Sequence, residues 1–445
     1  MFGTSGIRGE FGTDVNAGLA LDLGRAIASE NANRVVVGRD ARTTGALLAD
    51  AVTAGLRECG ADVVSLGVVP TPTVARAVSW YGAAVGVAVT ASHNPPADNG
   101  LKLWDRDGSA VVDGRQAVVA DRIRADDYEY APWDAVGTRT TRSDARDRHV
   151  NAVVDAVGDL GADAPAVVVD VGNGTGTVTA AALRALGCSV HTLDADADGS
   201  FPARPSEPTA ETCASLRAVV EATDADLGVA HDGDADRMLA VTEEGTFVPG
   251  DVLLAVFATD AVSNGETVAV PVDTSLAVDR AVRDAGGDTT YTRVGDGHVA
   301  ARTADNGVVF GGEPSGAWIW PAHARCPDGT LAAAKLASLV ADADSVSSLV
   351  AGVEQTPLRR ENIETGEKDA VVAAVHDRVE ETYEDVTALD GVRVEVRDGW
   401  FLVRASGTQP LVRVTAEAAT SERADELLDT ARDLVQDALT VVAAD

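Results

Sequence analysis

At 445 residues the chain is too long for a single small binding module; at about 150 residues per domain it holds roughly three units, with room for a large core and an interdomain cleft. Acidic residues outnumber basic ones 70 to 36, a net charge of −34, which disfavours nucleic acid and anionic membrane surfaces as partners, since such binders neutralise phosphates with a basic stripe. The charge is spread along the chain and 45% of residues are apolar, so the composition is that of a folded protein with a hydrated acidic surface, suited to a salt-rich cytoplasm where screening shrinks self-repulsion.

The cysteines (59, 188, 213 and 326) lack paired spacing, and no charged-then-apolar leader or spanning apolar run occurs, which points to a reducing cytoplasm. Short β-branched runs then alternate with helical patterns. RVVVG (34–38), a helix near 45–58, DVVSLG (62–67), a helix near 73–80 and AVGVAVTAS (84–92) form one block of βαβ units. AVVVDVG (166–172), SVHTLD (189–194) and LGVAHD (227–232), with helices near 177–186 and 210–222, form a second. TVAVPVD (267–273), a helix near 276–285, TYTRVG (290–295) and GVVFGGEPSG (307–316) form a third. The tail reads as antiparallel strands over 392–407 and 411–418, then a helix with Leu427, Leu428, Ala431, Val435, Ala438 and Leu439 on one face. The expected fold is α/β: three similar domains with mixed or parallel sheets (1–145, 146–250 and 251–355) and a smaller α+β domain (356–445).

Reactive loops of α/β proteins sit beyond the C-terminal ends of parallel strands. VTASHNPPADNGLK (89–102) begins at such an end and presents Ser92 as a nucleophile, with His93 as acid, base or charge partner and Lys102 as a phosphate ligand. HDGDADR (231–237) places Asp232, Asp234 and Asp236 two residues apart, so in an extended segment their carboxylates share a face and call for a cation that prefers oxygen. An EF-hand is excluded, because Arg237 stands where its glycine is needed. Arg237 beside a metal makes a clamp for phosphoryl oxygens. A second acidic run, DADADG (194–199), has Pro205 at the twelfth position and reads as an acidic turn.

GGEPSG (311–316) puts Glu313 and Ser315 on one side of a loop, suited to sugar hydroxyls, and RASGTQPLVR (404–413) gathers Arg404, Ser406, Gly407 and Thr408, with Arg413 on the next strand, as an anion pocket. VGNGTG (171–176) lacks the dinucleotide-binding spacing. Taken singly, the Ser92, GGEPSG and RASGTQPLVR segments are more often ordinary turns than sites, whereas the HDGDADR run is more often a divalent-metal site than a solvated turn.

Together and in this order, FGTSGIRG (2–9), TASHNP around Ser92, DGDADR, GEPSG and RASGTQPLVR resemble the landmarks of the α-D-phosphohexomutase superfamily over essentially the whole chain. The resemblance implies four domains around a central cleft and a Mg²⁺ ion held by Asp232, Asp234, Asp236 and a phosphoserine at Ser92. It places Arg8, His93, Lys102 and Arg237 near the transferred phosphate, Glu313 and Ser315 on the sugar, and Arg404, Ser406, Gly407, Thr408 and Arg413 on the non-reacting phosphate. The implied partners are hexose phosphates and hexose 1,6-bisphosphate. The archaeal-type phosphoglucosamine mutases are most similar, with phosphomannomutase and phosphoglucomutase activity next; a non-catalytic sugar-phosphate-binding protein and a phosphatase are the competing classes. Ala317 stands where many relatives carry histidine, with His323 as a candidate substitute, and Gln409 and Ala405 replace a common Glu and Pro.

Overall fold

The computed structural model describes residues 2–3, 6–407 and 410–442, the side chain of Asp113 excepted. Runs rich in Val and Ala are buried on both faces because helices cover both sides of each parallel sheet. In the first domain the spatial order is Ile7–Glu10, Asp98–Asp105, Val85–Val89, Arg34–Arg39, Asp62–Val68, Arg139–Thr141. The last four strands are parallel, and the first two are antiparallel to their neighbours. Helices Ala17–Ala28 and Gly45–Glu58 pack very closely on one face: a Cβ on Gly24 would meet the Val52 carbonyl at 2.4 Å, and one on Gly55 the Leu21 carbonyl at 2.0 Å.

The second sheet runs Met238–Thr242, Leu227–His231, Ala166–Asp170, Ser189–Leu193, and the third Asp288–Thr292, Thr267–Pro271, Val308–Glu313, Ala317–Ile319. Each has one antiparallel edge strand on a parallel sheet. These two domains share one continuous apolar core reaching from Val153 to Val346. The fourth sheet, Leu358–Glu364, Leu411–Ala418, Gly399–Ala405, Val392–Val396, Val386–Thr387, is wholly antiparallel and builds a separate core with helices Lys368–Glu380 and Ser421–Val442.

A buried polar joint locks the first three domains. Asp328, the N-cap of helix Gly329–Asp342, accepts from Arg76 Nε at 2.8 Å and lies 3.0 Å from His149 Nε2, whose Nδ1 meets Thr73 Oγ1 at 2.8 Å. The fourth domain docks through Glu417, which accepts from Ser275 Oγ (2.7 Å), the Leu276 amide and Trp400 Nε1 (2.9 Å each).

Three strands of the first sheet have no counterpart in the sequence reading: Ile7–Glu10, Asp98–Asp105 and Arg139–Thr141. Ile7–Glu10 and Arg139–Thr141 are short and largely polar, and Asp98–Asp105 opens on turn-forming residues, so pairing with neighbouring strands is what makes them strands. TYTRVG also begins its strand earlier, at Asp288, and leaves it after Thr292. No helix of the described residues is long and apolar enough to cross a membrane.

Candidate active site

The strand Val85–Val89 delivers the chain to Ser92, whose φ of 52° lies in the left-handed region that non-glycine residues seldom adopt. Its amide donates to Thr90 Oγ1 at 2.8 Å. Its Oγ donates to Asp232 Oδ2 at 2.6 Å and sits 3.2 Å from His93 Nδ1. One oxygen each from Asp232, Asp234 and Asp236 lies within 4.8 Å of the others, and all three residues are buried. The Ser92 loop and the acidic loop, 140 residues apart in sequence, therefore form one site.

The charges around this triad are uneven. Burial, with Asp234 and Asp236 alongside, pushes the Asp232 carboxyl well up. Burial would raise Asp234 too, yet Lys102 and the Thr71 hydroxyl, donating to its Oδ2 at 2.5 Å, hold it below its ordinary value. Lys102 Nζ lies 2.5 Å from Asp236 and 3.4 Å from Asp234; burial opposes its charge, but the two carboxylates raise its pKa. Asp234 Oδ1 is buried with no hydrogen-bond partner among the described residues. Three carboxylates facing one ammonium, with a lone pair left over, fit a divalent cation that takes oxygen ligands.

His93 is pushed well below the ordinary imidazole range by Arg237, by burial, and by Arg8 and Lys102. Arg8 lies on the edge strand opposite Gly100, where a Cβ would meet its side chain at 2.9 Å. The Arg237 amide donates to Asp232 Oδ1 at 3.2 Å, and its guanidinium feels both Asp232 and Glu313. Glu313, 6% exposed, accepts from the Gly295 amide at 2.7 Å and from Ser315 Oγ at 3.4 Å; burial and Asp296 push its carboxyl up to about 7.

Arg404 reaches Asp273 at 3.5 Å and Asp390 at 3.9 Å. It stands directly across from Arg413 on the next strand, and burial with Arg404 lowers the Arg413 pKa. Like charges paired across strands repel, and an anion between them relieves the strain. Ser406 is buried, its amide bonded to the Leu411 carbonyl, and Gly407 is exposed with open space where a Cβ would stand. Thr408 lies outside the described residues. Glu207 interacts with both Arg237 and Arg413, and Asp273 with both Glu313 and Arg413, so the four loops face one cleft.

Family models of the phosphoglucomutase/phosphomannomutase type match in order: the α/β/α domain I over residues 1–129, domain II over 147–245, domain III over 249–356 and the C-terminal domain over 358–434. The chain belongs to the phosphoglucomutase/phosphomannomutase family. It is thus a phosphohexomutase, an enzyme of the isomerase class. It is 45% identical over 442 residues to the "Probable phosphoglucosamine mutase" of Methanopyrus kandleri, covering 98% of this chain and 97% of the relative. Identity is 43% to a protein of the same name from Methanothermobacter thermautotrophicus, with 95% of both chains covered. The crystal structure of a phosphoglucomutase/phosphomannomutase family protein from Burkholderia thailandensis superposes with a TM-score of 0.88 at 30% identity, covering 98% of this chain and 97% of the other.

Two sequence expectations look different in this frame. His323 does not stand in for the family histidine: its charged neighbours are Lys335 and Arg76, while Ala317 forms a β-bridge with Arg237. VGNGTG is a seat for the acidic loop, since a Cβ on Gly174 would meet the Gly233 carbonyl at 2.6 Å and one on Gly176 the His231 ring at 2.8 Å. Several residues that shape the site went unread: Thr71 on Asp234, Ser206 on the Ser92 carbonyl, and two buried arginines, Arg42 and Arg204. The signal was a charged Asp40-x-Arg42 directly after an apolar strand, where a solvated turn is the ordinary reading.

Proposed function

We propose that the chain is a cytoplasmic Mg²⁺-dependent phosphohexomutase that interconverts glucosamine 6-phosphate and glucosamine 1-phosphate through phospho-Ser92 and a bisphosphorylated sugar, with domain limits at 145, 250 and 355. The observation that carries it is the 2.6 Å contact of Ser92 Oγ with Asp232, in a cleft that also presents Glu313 and the Arg404–Arg413 pair. The sugar is chosen from the relatives at 45% and 43% identity, both named for phosphoglucosamine.

In the forward half-reaction the bond from phosphorus to Ser92 Oγ breaks as phosphorus bonds a sugar hydroxyl. As phosphorus leaves it, Ser92 Oγ takes up a proton and the sugar hydroxyl gives one up; His93, 3.2 Å from Oγ, and Lys102, kept charged by Asp234 and Asp236, are the groups proposed for this exchange. Asp232, Asp234, Asp236 and a phosphoserine oxygen would hold Mg²⁺, which neutralises charge on the moving phosphoryl group. Arg8 and Arg237 add fixed positive charge. Glu313 and Ser315 hold sugar hydroxyls, while Arg404, Ser406, Gly407, Thr408 and Arg413 hold the phosphate that is not reacting. The bisphosphate then turns, and its other phosphate returns to Ser92.

The test is incubation of purified protein with Mg²⁺, a trace of hexose 1,6-bisphosphate and each hexose phosphate in turn. Glucosamine phosphate is expected to turn over fastest. Faster mannose or glucose phosphate replaces the sugar assignment, steady phosphate release without isomerisation makes the protein a phosphatase, and no turnover at all overturns the enzyme reading. The net charge of −34 leads us to place the protein in a salt-rich cytoplasm; full stability in dilute buffer contradicts that.

A further inference from the structure

Arg42 is fully buried, and all five of its guanidinium N–H donors are used. Nε donates to Asp40 Oδ2 at 3.1 Å. The two N–H groups of Nη1 go to the carbonyls of Pro95 and Asp98, and those of Nη2 to the carbonyls of Ser92 (2.9 Å) and Asn94 (2.6 Å). One side chain thus gathers four carbonyls of the loop that carries Ser92. Asp40 completes the ring: it accepts from Thr90 Oγ1 at 2.7 Å, and that hydroxyl in turn accepts the Ser92 amide. Both backbone polar groups of Ser92 are therefore tied, directly or through Thr90, to the Asp40–Arg42 pair.

The second domain adds a cover and a second hold. The Phe201 ring lies 5.1 Å from the Arg42 guanidinium, and a Cβ on Gly199 would meet Arg42 Cα at 2.5 Å. Ser206 Oγ donates to the Ser92 carbonyl at 2.8 Å and accepts the Gly233 amide at 3.0 Å, one hydroxyl joining the nucleophile loop to the acidic loop. The run 194–199, which reads in sequence as an acidic turn, leads into this covering segment.

The same device is built a second time. In the second domain Asp170 accepts the Gly172 amide with Oδ1, as Asp40 accepts the Arg42 amide, and takes Arg204 Nε on Oδ2 at 2.8 Å; Arg204 Nη2 then donates to the His231 carbonyl at 2.7 Å. Asp170 pairs with Ala230, two residues before Asp232; Asp40 lies one residue past the Arg39–Val89 pair, level with Thr90, two residues before Ser92. Ser92 and Asp232 hold equivalent places in two similar domains, each fixed by a buried Asp–Arg pair.

We propose that Arg42 is a positioning residue: with Asp40 and Ser206 it holds Ser92 in its left-handed backbone conformation, keeps Oγ aimed between Asp232 and the cleft, and so directs the phosphoryl group of phospho-Ser92 to sugar rather than to water. A non-glycine residue in that conformation persists only where its surroundings over-determine it. Loosening the loop lets the phosphoserine leave its alignment and meet water. In that side reaction a water oxygen bonds phosphorus, the bond to Oγ breaks, Oγ takes the proton and inorganic phosphate leaves. The inference rests on the mutase reading above.

The decisive readout is the ratio of inorganic phosphate release to isomerisation, measured with Mg²⁺, glucosamine 6-phosphate and a trace of hexose 1,6-bisphosphate. Partial unfolding lowers both rates together and leaves the ratio unmoved. Arg42→Lys supplies three donors where five are used, so its ratio should rise about tenfold or more, with kcat down about 10- to 100-fold and KM within about twofold. Amide exchange across 91–98 should quicken, while exchange across the Val371–Val435 core does not. If Arg42→Lys fails to fold, Ser206→Ala, which removes a single hydroxyl, should raise the ratio in the same direction by a smaller factor. An unchanged ratio in the folded variant overturns the proposal, provided wild-type protein isomerises in the same assay. A wild-type protein that isomerises nothing overturns the mutase reading and this proposal with it.

Discussion

The loop around Ser92 and the loop around Arg404 are held in opposite ways. Ser92 has its amide bonded to Thr90, its carbonyl bonded to Arg42 and Ser206, and its hydroxyl on Asp232 at 2.6 Å. Thr71, Lys102 and Arg204 tie the facing acidic loop as tightly. Arg404, by contrast, meets its carboxylate partners at 3.5 and 3.9 Å, stands across from another arginine, and is followed three residues on by the exposed Gly407. The reacting centre needs a fixed geometry, because sub-ångström misplacement costs rate. In the proposed function the distal site accepts a phosphate from either end of a sugar, and two arginines set across from each other on neighbouring strands favour an anion between them.

The sharpest way to break this contrast is to remove the nucleophile. Ser92→Ala should lower turnover by more than about a thousandfold while glucosamine 6-phosphate still binds in calorimetry, since the anion pocket is built elsewhere. Loss of binding would mean that the two halves are not separable. Asp234→Asn should cost about 100-fold or more in kcat and shift the Mg²⁺ titration to about 10- to 100-fold higher concentration, because it removes the carboxylate with an unpartnered buried oxygen. An unmoved Mg²⁺ midpoint removes the triad from its role. On the other side of the cleft, Arg404→Ala should raise KM about 10- to 100-fold with a smaller change in kcat. A loss confined to kcat would place Arg404 with the reacting group instead.

Glu313 gives a smaller effect, read in stability. Its folded-state pKa, pushed up to about 7 by burial and Asp296, exceeds the ordinary 4.5. Between those values the folded protein keeps a proton that the unfolded chain has released, so this group lowers stability as pH rises through that window. Glu313→Gln removes the titration, and denaturant unfolding should show a pH profile between 4.5 and 7 that falls less steeply, by about 3 kcal/mol at most. An identical profile would show that Glu313 is solvated and ionised in the folded state.

The same division explains what could be read from the sequence. DGDADR and RASGTQPLVR are local: their donors and acceptors converge because they are neighbours along the chain, so spacing alone displays them. Ser92 with His93 is local as well. Arg42, Thr71 and Ser206 act on residues 50, 163 and 114 positions away, and the one local cue, Asp40-x-Arg42 after an apolar strand, reads as a solvated turn. The strand Asp98–Asp105 was hidden for a related reason: its first residues, Asp-Asn-Gly, favour turns, and pairing with Ile7–Glu10 and Val85–Val89 overrides that preference. It is this strand that carries Lys102 to Asp236. His323 shows the converse, a histidine near in sequence to the sugar loop whose charged neighbours are Arg76 and Lys335.

The fixed half of the cleft has one chemical purpose if Ser92 carries the phosphoryl group. The direct test is intact-mass and peptide mass spectrometry of the protein after incubation with Mg²⁺ and hexose 1,6-bisphosphate, followed by a chase with glucosamine 6-phosphate. One phosphoryl group on the peptide containing Ser92, retained through many turnovers, is the expected result. Active protein that never carries phosphate at Ser92 contradicts it.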